Sequence, residues 1–370
     1  MSKLLQCLCL ALFTVMSIST KANATLSPLS PNDPEAEISR RLAGLSLPLT
    51  APASDATLQR KLTDYLDRGS ESTERMLGRA DQYFPVFEYY LAKHNMPESL
   101  KYLAVAESML VPRAVSGARA AGLWQLMPAT ARGMGLRVDN VIDERLDLYR
   151  STEAAVIMLK KLHQQFGDWH LALAAYNCGP GRVRRAIRAA GGHTHYPKVR
   201  AYLPKESQQY VAAYVAAAYT VNYYGEYGLT PESYLLEDQV ASINVIKQLR
   251  LRQLAEGCEL DYKQIRKMNP SYVAGYIPRS RRGHRLRVPL EAKWTVKQYL
   301  WGRPNLVELE PDPEQVLADQ LAADQQFDAR ELLFGIPAER LLAPLNIPQQ
   351  FAVQQMNRQL FGNYEAMAMN

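Results

Sequence analysis

Cysteine is scarce in this chain of 370 residues: there are four, and two of them, Cys7 and Cys9, lie within the first ten positions. That excludes a disulfide-stapled scaffold. Cys178 and Cys258 are 80 residues apart and could pair in an oxidising compartment, but nothing local requires it, so two separate, partly buried thiols are expected. Nucleotide signatures are missing too, with no GxGxxG after a strand and no phosphate-binding GxxxxGK[ST] loop. There is no HExxH. The nearest approach to a metal cluster is His193-Thr194-His195 beside two glycines, which lacks a third ligand and reads as a surface loop. No metal and no cofactor are therefore expected. Ser108 has neither a GxSxG setting nor identifiable His and Asp partners, which argues against a serine hydrolase. Beyond the N-terminus, no segment approaches the roughly 20 consecutive apolar residues of a membrane-spanning helix.

What is present begins at Lys3, followed by an apolar run from Leu4 to about Ile18 and then Ala22-Asn23-Ala24, an A-x-A cleavage signature. Residues 1–24 read as a signal peptide, with an uncleaved anchor as the competing reading. The protein is expected to be exported, to the periplasm or cell envelope. Cys7 follows Gln6 and Cys9 follows Leu8, whereas a lipidated cysteine follows small residues. Removal of this segment takes away Lys3, Lys21 and no acid, so the formal net charge falls from +6 to +4. A mildly basic chain suits a polyanionic partner such as cell wall or membrane surface, but the excess is too small to argue for nucleic acid.

Residues 25–57, rich in Pro, Ser and Ala (SPLSPNDP, LSLPLTAPAS), read as a linker or N-terminal arm with one amphipathic piece around Ile38 to Leu45. Helical patterning dominates residues 58–230, where strand-like alternation is scarce. Ser151 reads there as the N-cap of a helix carrying Ala155, Met158, Leu159 and Leu162. In residues 231–290 the texture changes. Val240 to Ile246 suits a strand, Leu249 to Ala255 and Tyr262 to Met268 suit short helices, and Leu286 to Val288 suits a second strand, a β-α-α-β pattern. Residues 291–370 form a C-terminal extension with helix-compatible pieces at Glu314 to Leu321 and Ala329 to Leu333. The fold class is mainly α, a helical domain followed by a small β-α-α-β module and a helical or partly disordered tail.

One acid stands out. In LAVAESML, Leu103 to Leu110, Glu107 lies on the same helical stripe as Leu100, Leu103, Ala104, Leu110 and Val111. It is either a tolerated acid that is paired or reaches water, or a catalytic acid whose pKa is raised by burial. Downstream, SGARAAGLWQLMPATARGMGL (116–136) combines small residues that permit close backbone approach with Trp124, Gln125 and Met127, which offer an aromatic plate, an amide and a thioether. ALAAYNCGPGRV (172–183) offers Tyr176 and Asn177 before Gly179 and Pro180 stop the helix. A third block, LPKESQQYVAAYVAAAYTVNYY, places Tyr210 and Tyr214 four apart on an alanine-rich helix.

Glu107-Ser108, fifteen residues on to G-L-W-Q-L-M-P, then A-A-Y-N-x-G and a Q-Y-V helix, form an ordered series. In that series the chain resembles the lytic transglycosylases of the lysozyme-like superfamily that carry the soluble-lytic-transglycosylase domain, most closely the membrane-bound lytic murein transglycosylase D group. The resemblance runs from about Leu77, in LGRADQYFPVFEYYL, to about Tyr227. It implies a lysozyme-like helical domain acting on peptidoglycan glycan strands, with Glu107 as the sole catalytic acid/base. Ser108, the Ser116 loop and Gln125 would line the sugar cleft, Tyr176 and Asn177 would complete it, and Tyr210 matches the last active-site motif. The family often has Y-V-P where this chain has Tyr210-Val211-Ala212.

The β-α-α-β unit resembles a divergent LysM module. It lacks the usual Gly-Asp-Thr but keeps a two-helix core ending in Asn269-Pro270, so glycan binding and a spacer role both stay open. Ordinary glycosidases use two carboxylates. Here the other acids near the motifs, Asp143, Glu144, Asp147 and Glu153, read as helix caps or ion-pair partners. One acid suffices when the substrate supplies its own nucleophile. The competing functions are a goose-type lysozyme, in which water attacks, and a non-catalytic cell-wall-binding protein.

Overall fold

The computed structural model describes residues 35–232 and 240–302. The signal segment, and the C-terminal pieces at Glu314 to Leu321 and Ala329 to Leu333, lie outside the described residues. The first part is helical: α1 (Glu35–Ala43), α2 (Ala56–Thr63), α3 (Ser70–Lys93), α4 (Tyr102–Ser108), α5 (Pro128–Gly133), α6 (Leu148–Phe166), α7 (Trp169–Cys178), α8 (Pro180–Ala189), α9 (Tyr196–Arg200) and α10 (Lys205–Tyr223). None of these is long and apolar enough to cross a membrane.

Local chemistry sets the helix ends. Asp55, Asp147 and Asp168 accept backbone N–H bonds at the starts of α2, α6 and α7. Gly167 and Gly179, both at positive φ, close α6 and α7. Ser151 is not the cap of α6, as its sequence setting suggested. It sits one turn inside, where its hydroxyl donates to the Asp147 carbonyl at 2.5 Å, because the carboxylate of Asp147 satisfies the N–H groups of Tyr149 and Arg150.

Two helices form the centre. From Leu171 to Tyr176, α7 is buried on every face, as expected of a helix apolar all round. Beside it, α10 packs against α2, α4 and α7. Four of its five alanines, Ala212 and Ala216 to Ala218, are buried and let those backbones approach. The helix runs unbroken through Ala212, where a proline would lack the backbone donor.

Residues 35–57 are more than an arm. Ile38, Leu42, Leu49, Ala51 and Ala53 all join the main core. Arg41, itself buried, donates to the Tyr219 hydroxyl at 3.1 Å and to Glu37 at 2.7 Å, while Tyr223 donates to its carbonyl at 3.0 Å. These bonds fasten α1 to the end of α10.

The second part comprises β1 (Val240–Val245), β2 (Leu249–Arg250), α11 (Leu251–Gly257), α12 (Tyr262–Met268), β3 (Tyr276–Ile277), β4 (His284–Pro289) and α13 (Lys293–Trp301). β1 pairs antiparallel with β4, Val240 opposite Pro289 and Val245 opposite His284. The short β2 pairs with β3, so Leu249 and Arg250 open with a strand rather than with the helix. Helix α13, placed in the extension on sequence, buries Val296 and Leu300 in this module's core. Cys178 packs against the helical core and Cys258 lies in the module core, not bonded to each other.

The loop after α4 is held tightly. Gly122 has φ of +83°, and a Cβ there would stand 1.9 Å from the Arg145 carbonyl oxygen. Gly122→Ala is therefore expected to destabilise the protein by more than about 1 kcal/mol. Gly117→Ala, which meets nothing within 4 Å, should stay within about 0.5 kcal/mol. Denaturant melts of the two variants compare them directly.

Candidate active site

The last residues of α4 bring Glu107 and Ser108 to the edge of a cleft. A turn of 3-10 helix, Glu98–Lys101, leads into α4, with Pro97 just before it. After Ser108 the chain reverses through two consecutive left-handed residues, Met109 (φ 52°) and Leu110 (φ 57°). Non-glycine residues in this region cost on the order of 1 kcal/mol or more each and persist where surroundings fix them. Here Leu110 is fully buried, and Arg79 of α3 donates to the Met109 carbonyl at 2.8 Å.

Glu107 as a whole is half-buried, but its carboxyl is sunk against α10. Burial lifts its pKa from the ordinary carboxylate value to about 7, a hydrogen bond from Tyr210 opposes the rise, and the charge of Glu206 adds to it. The Tyr210 hydroxyl donates to Glu107 Oε1. Burial drives the phenols of Tyr210 and Tyr176 well above their usual range, with the Glu107 charge adding to both. Both therefore remain protonated.

The other residues singled out on sequence divide into two groups. Tyr176 is buried beside the acid, and its hydroxyl donates to the Trp124 carbonyl at 2.7 Å. Asn177 follows at the end of α7, where its Oδ1 accepts from Ser207 Oγ at 2.6 Å and its Nδ2 lies 3.4 Å from Glu206. Ser108 binds the Leu123 carbonyl at 2.8 Å and the Ala104 carbonyl at 3.0 Å, tying α4 to the loop rather than presenting a hydroxyl. Gln125, at φ 46°, donates its amide to the Ala114 and Gly122 carbonyls at 3.1 and 2.8 Å. Ser116 is exposed in the same loop and accepts from the Ala120 N–H at 3.0 Å, which shapes the loop.

Trp124 is not a plate for a ligand. It is fully buried, 4.8 Å from the Phe87 ring, with Nε1 donating to Thr152 at 3.0 Å. Tyr214 is likewise a core residue, bonded to the Ser99 carbonyl. Asp143, Glu144, Asp147 and Glu153 all bind backbone N–H groups or cations. Two polar residues beside the site, Glu206 and Ser207, are not among those expected from the sequence. A signal existed: Glu206 stands four residues before Tyr210, which puts both on one face of α10. Among the described residues no cluster of His, Cys, Asp and Glu could hold a metal ion.

A carboxyl that keeps its proton near neutrality, beside a second carboxylate and a fixed phenol, can donate a proton and accept one back. Its two modulators act in opposite directions. Tyr210→Phe removes the bond that favours the charged form, so the Glu107 pKa should rise above about 7. Glu206→Gln removes the repelling charge and should lower it. Titration of the carboxyl carbon of Glu107 by NMR in each variant reads both shifts.

Residues 84–198 match the family described as Transglycosylase SLT domain, and residues 239–300 match Lytic transglycosylase MltD, LysM-like domain. Membrane-bound lytic murein transglycosylase D of Escherichia coli (strain K12) is 33% identical over 195 residues, covering 52% of this chain and 43% of that protein. Membrane-bound lytic murein transglycosylase F of Yersinia pestis (strain Pestoides F) is 30% identical over 161 residues, 40% of this chain and 31% of its own length. The chain thus spans less than half the length of either curated relative. An X-ray structure of an inactive mutant of the lytic transglycosylase Slt from Pseudomonas aeruginosa aligns over 45% of this chain and 27% of that one, at 25% identity and a TM-score of 0.35. On its two matched segments, the chain carries an SLT transglycosylase domain followed by a LysM-like domain of the lytic transglycosylase MltD type.

Proposed function

We propose that the protein is an exported peptidoglycan lytic transglycosylase of the periplasm or cell envelope. It cleaves the β-1,4 bond between N-acetylmuramic acid and N-acetylglucosamine and leaves a 1,6-anhydromuramyl end. The observation that carries this reading is Glu107 itself, an acid lifted to about pKa 7 within reach of Tyr210, inside the segment matching the SLT domain.

Glu107 gives its proton to the glycosidic oxygen as the bond to muramic acid C1 breaks. The oxocarbenium-like state is stabilised by the substrate's own acetamide and by polar groups of Asn177 and Gln125. Gln125 retains its side-chain oxygen for this, since both of its bonds use the amide nitrogen. The Glu107 carboxylate then takes the proton of the muramic acid C6 hydroxyl as that oxygen closes onto C1. No water enters and the glutamate returns to its starting state. Tyr210 keeps the acid aligned through its bond to Glu107, and Tyr176, bonded to the Trp124 carbonyl, sets the wall against which the sugar rests.

A second reading, hydrolysis as in goose-type lysozymes, gains support from Glu206. This exposed carboxylate lies near enough to Glu107 to raise its pKa and is held by Asn177. It is a candidate base for a water molecule, the second carboxylate that glycosidases ordinarily use.

Digestion of purified cell-wall sacculi followed by mass analysis separates the two. The lyase reading expects anhydro ends lighter by one water than hydrolytic products, at a rate that falls as the pH rises through about 7 and Glu107 loses its proton. Glu107→Gln should lose at least about 100-fold in rate, and Glu206→Gln should still give anhydro ends. Reducing ends that vanish in Glu206→Gln would establish the hydrolase instead.

A further inference from the structure

The helical domain and the LysM-like module share a junction built from one short loop, residues 139–143. Asp139 folds that loop: its carboxylate accepts the N–H groups of Val141 and Ile142, each at 2.7 Å, and its own N–H donates to the Ile142 carbonyl at 2.8 Å. The fold presents Ile142 as a plug. Only 3% of it is exposed, and it is a member of the module's core with Ile243, Leu286 and Val288, although it belongs to the helical part of the chain.

The junction is also hydrogen-bonded. The Asp143 N–H donates to the Ser271 carbonyl at 2.9 Å, and the Ala274 N–H to the Val141 carbonyl at 3.4 Å. Beside it, the guanidinium of Arg287 on β4 lies over the Tyr149 ring of α6, 4.6 Å from its centre.

The same residues reach the cleft. Asp143 holds Arg145 through two bonds, Nε at 2.9 Å and Nη2 at 2.7 Å, with both side chains buried. The remaining arm of that guanidinium, Nη1, donates to the Arg119 carbonyl at 2.6 Å and the Leu126 carbonyl at 3.0 Å. Those two carbonyls bracket the loop that carries Gly122 and Gln125, and Gly122 rests on the Arg145 carbonyl. A chain of packed and bonded groups therefore runs from the module core, through Ile142 and Asp143, to the wall of the cleft. Ile142 fixes one end by packing, and breaking the Asp143–Arg145 links would leave a buried charge or donor uncompensated, so loosening one end is felt at the other.

We propose that the LysM-like module is a fixed buttress of the cleft, and that Arg145 is the positioning residue through which its docking at Ile142 sets the Gln125 loop. The module thereby acts on the cleft from behind the loop, whether or not it touches glycan.

Hydrogen exchange of the full-length chain tests this without reference to the reaction. In Ile142→Ser the hydrogen-bonded amides of Ala121, Gly122 and Leu126 should exchange about tenfold faster, while those of α10 stay within about twofold of the parent. Arg145→Lys, which keeps the charge and loses the fork, should do the same with the module's β1 and β4 amides unchanged. Should Ile142→Ser fail to fold, Arg287→Ala loosens the same junction and should speed the same three amides by about threefold. Faster exchange in β1 and β4 with the 121–126 amides unaltered would overturn the proposal.

The kinetic arm rests on the proposed transglycosylase reading. On soluble glycan strands, Arg145→Lys should lower kcat about tenfold with KM within about twofold, because Gln125 acts on the oxocarbenium-like state. A rise in KM at constant kcat, or unaltered kcat and KM, would overturn the positioning role, whereas a parent protein inactive on glycan would overturn the proposed function and leave the exchange result standing.

Discussion

Burial of the Trp124 indole holds the site together. The ring sits against Phe87 of α3, its Nε1 bonds Thr152 of α6, and its carbonyl receives Tyr176 of α7. One residue earlier, the Leu123 carbonyl receives Ser108 at the end of α4. Four helices thus meet on two consecutive loop positions, and the position before them, Gly122, rests on the Arg145 carbonyl. A buried polar network of this kind is stable only when every member is satisfied. That condition explains why so many side chains that looked like ligand contacts, Ser108, Tyr176 and the Gln125 amide among them, are engaged with backbone carbonyls. They determine where the cleft wall stands, and Glu107 is placed by the wall.

Much of this was legible in the sequence wherever the signal was periodic. The α7 block, the α10 alanines and the stripe carrying Glu107 all announced buried helices, because each spans two turns or more. Other parts were hidden for physical reasons. Residues 35–57 look like an arm because prolines and serines dominate their composition, while the few side chains that matter, Ile38 and Leu42 among them, are too sparse to form a pattern. Asp147 outcompeted Ser151 as a cap because a carboxylate satisfies two N–H groups at once. β2 and β3 are two residues each, below the length at which alternation can be read. Trp124 in a glycine- and alanine-rich loop could equally have faced a ligand, and only the three-dimensional arrangement of Phe87 and Thr152 decides it.

Glu107 is less isolated than the α4 stripe alone indicates. Nothing on the α4 stripe hints at a second acid, because Glu206 arrives from α10, about a hundred residues later in the chain. Once there, it lies on the same helical face as Tyr210, one turn away, and the two pull the glutamate in opposite directions. Tyr210 stabilises the carboxylate by donating to it, and Glu206 stabilises the protonated form by repulsion, with burial weighting the balance toward the acid.

That balance bears on the proposed reaction. A carboxyl that must donate and then recover a proton within one turnover works best when neither state is strongly preferred. Burial alone would favour the acid and slow its release of the proton, while the Tyr210 bond alone would favour the carboxylate and leave nothing to donate. Helix α10 supplies the Tyr210 bond that opposes burial and, one turn away, the Glu206 charge that opposes that bond, so the geometry that poises Glu107 is set by the pitch of a single helix. A helix whose buried face is packed with alanines against α2, α4 and α7 is well suited to that task, since it cannot rotate to favour one residue over the other without breaking its own core contacts.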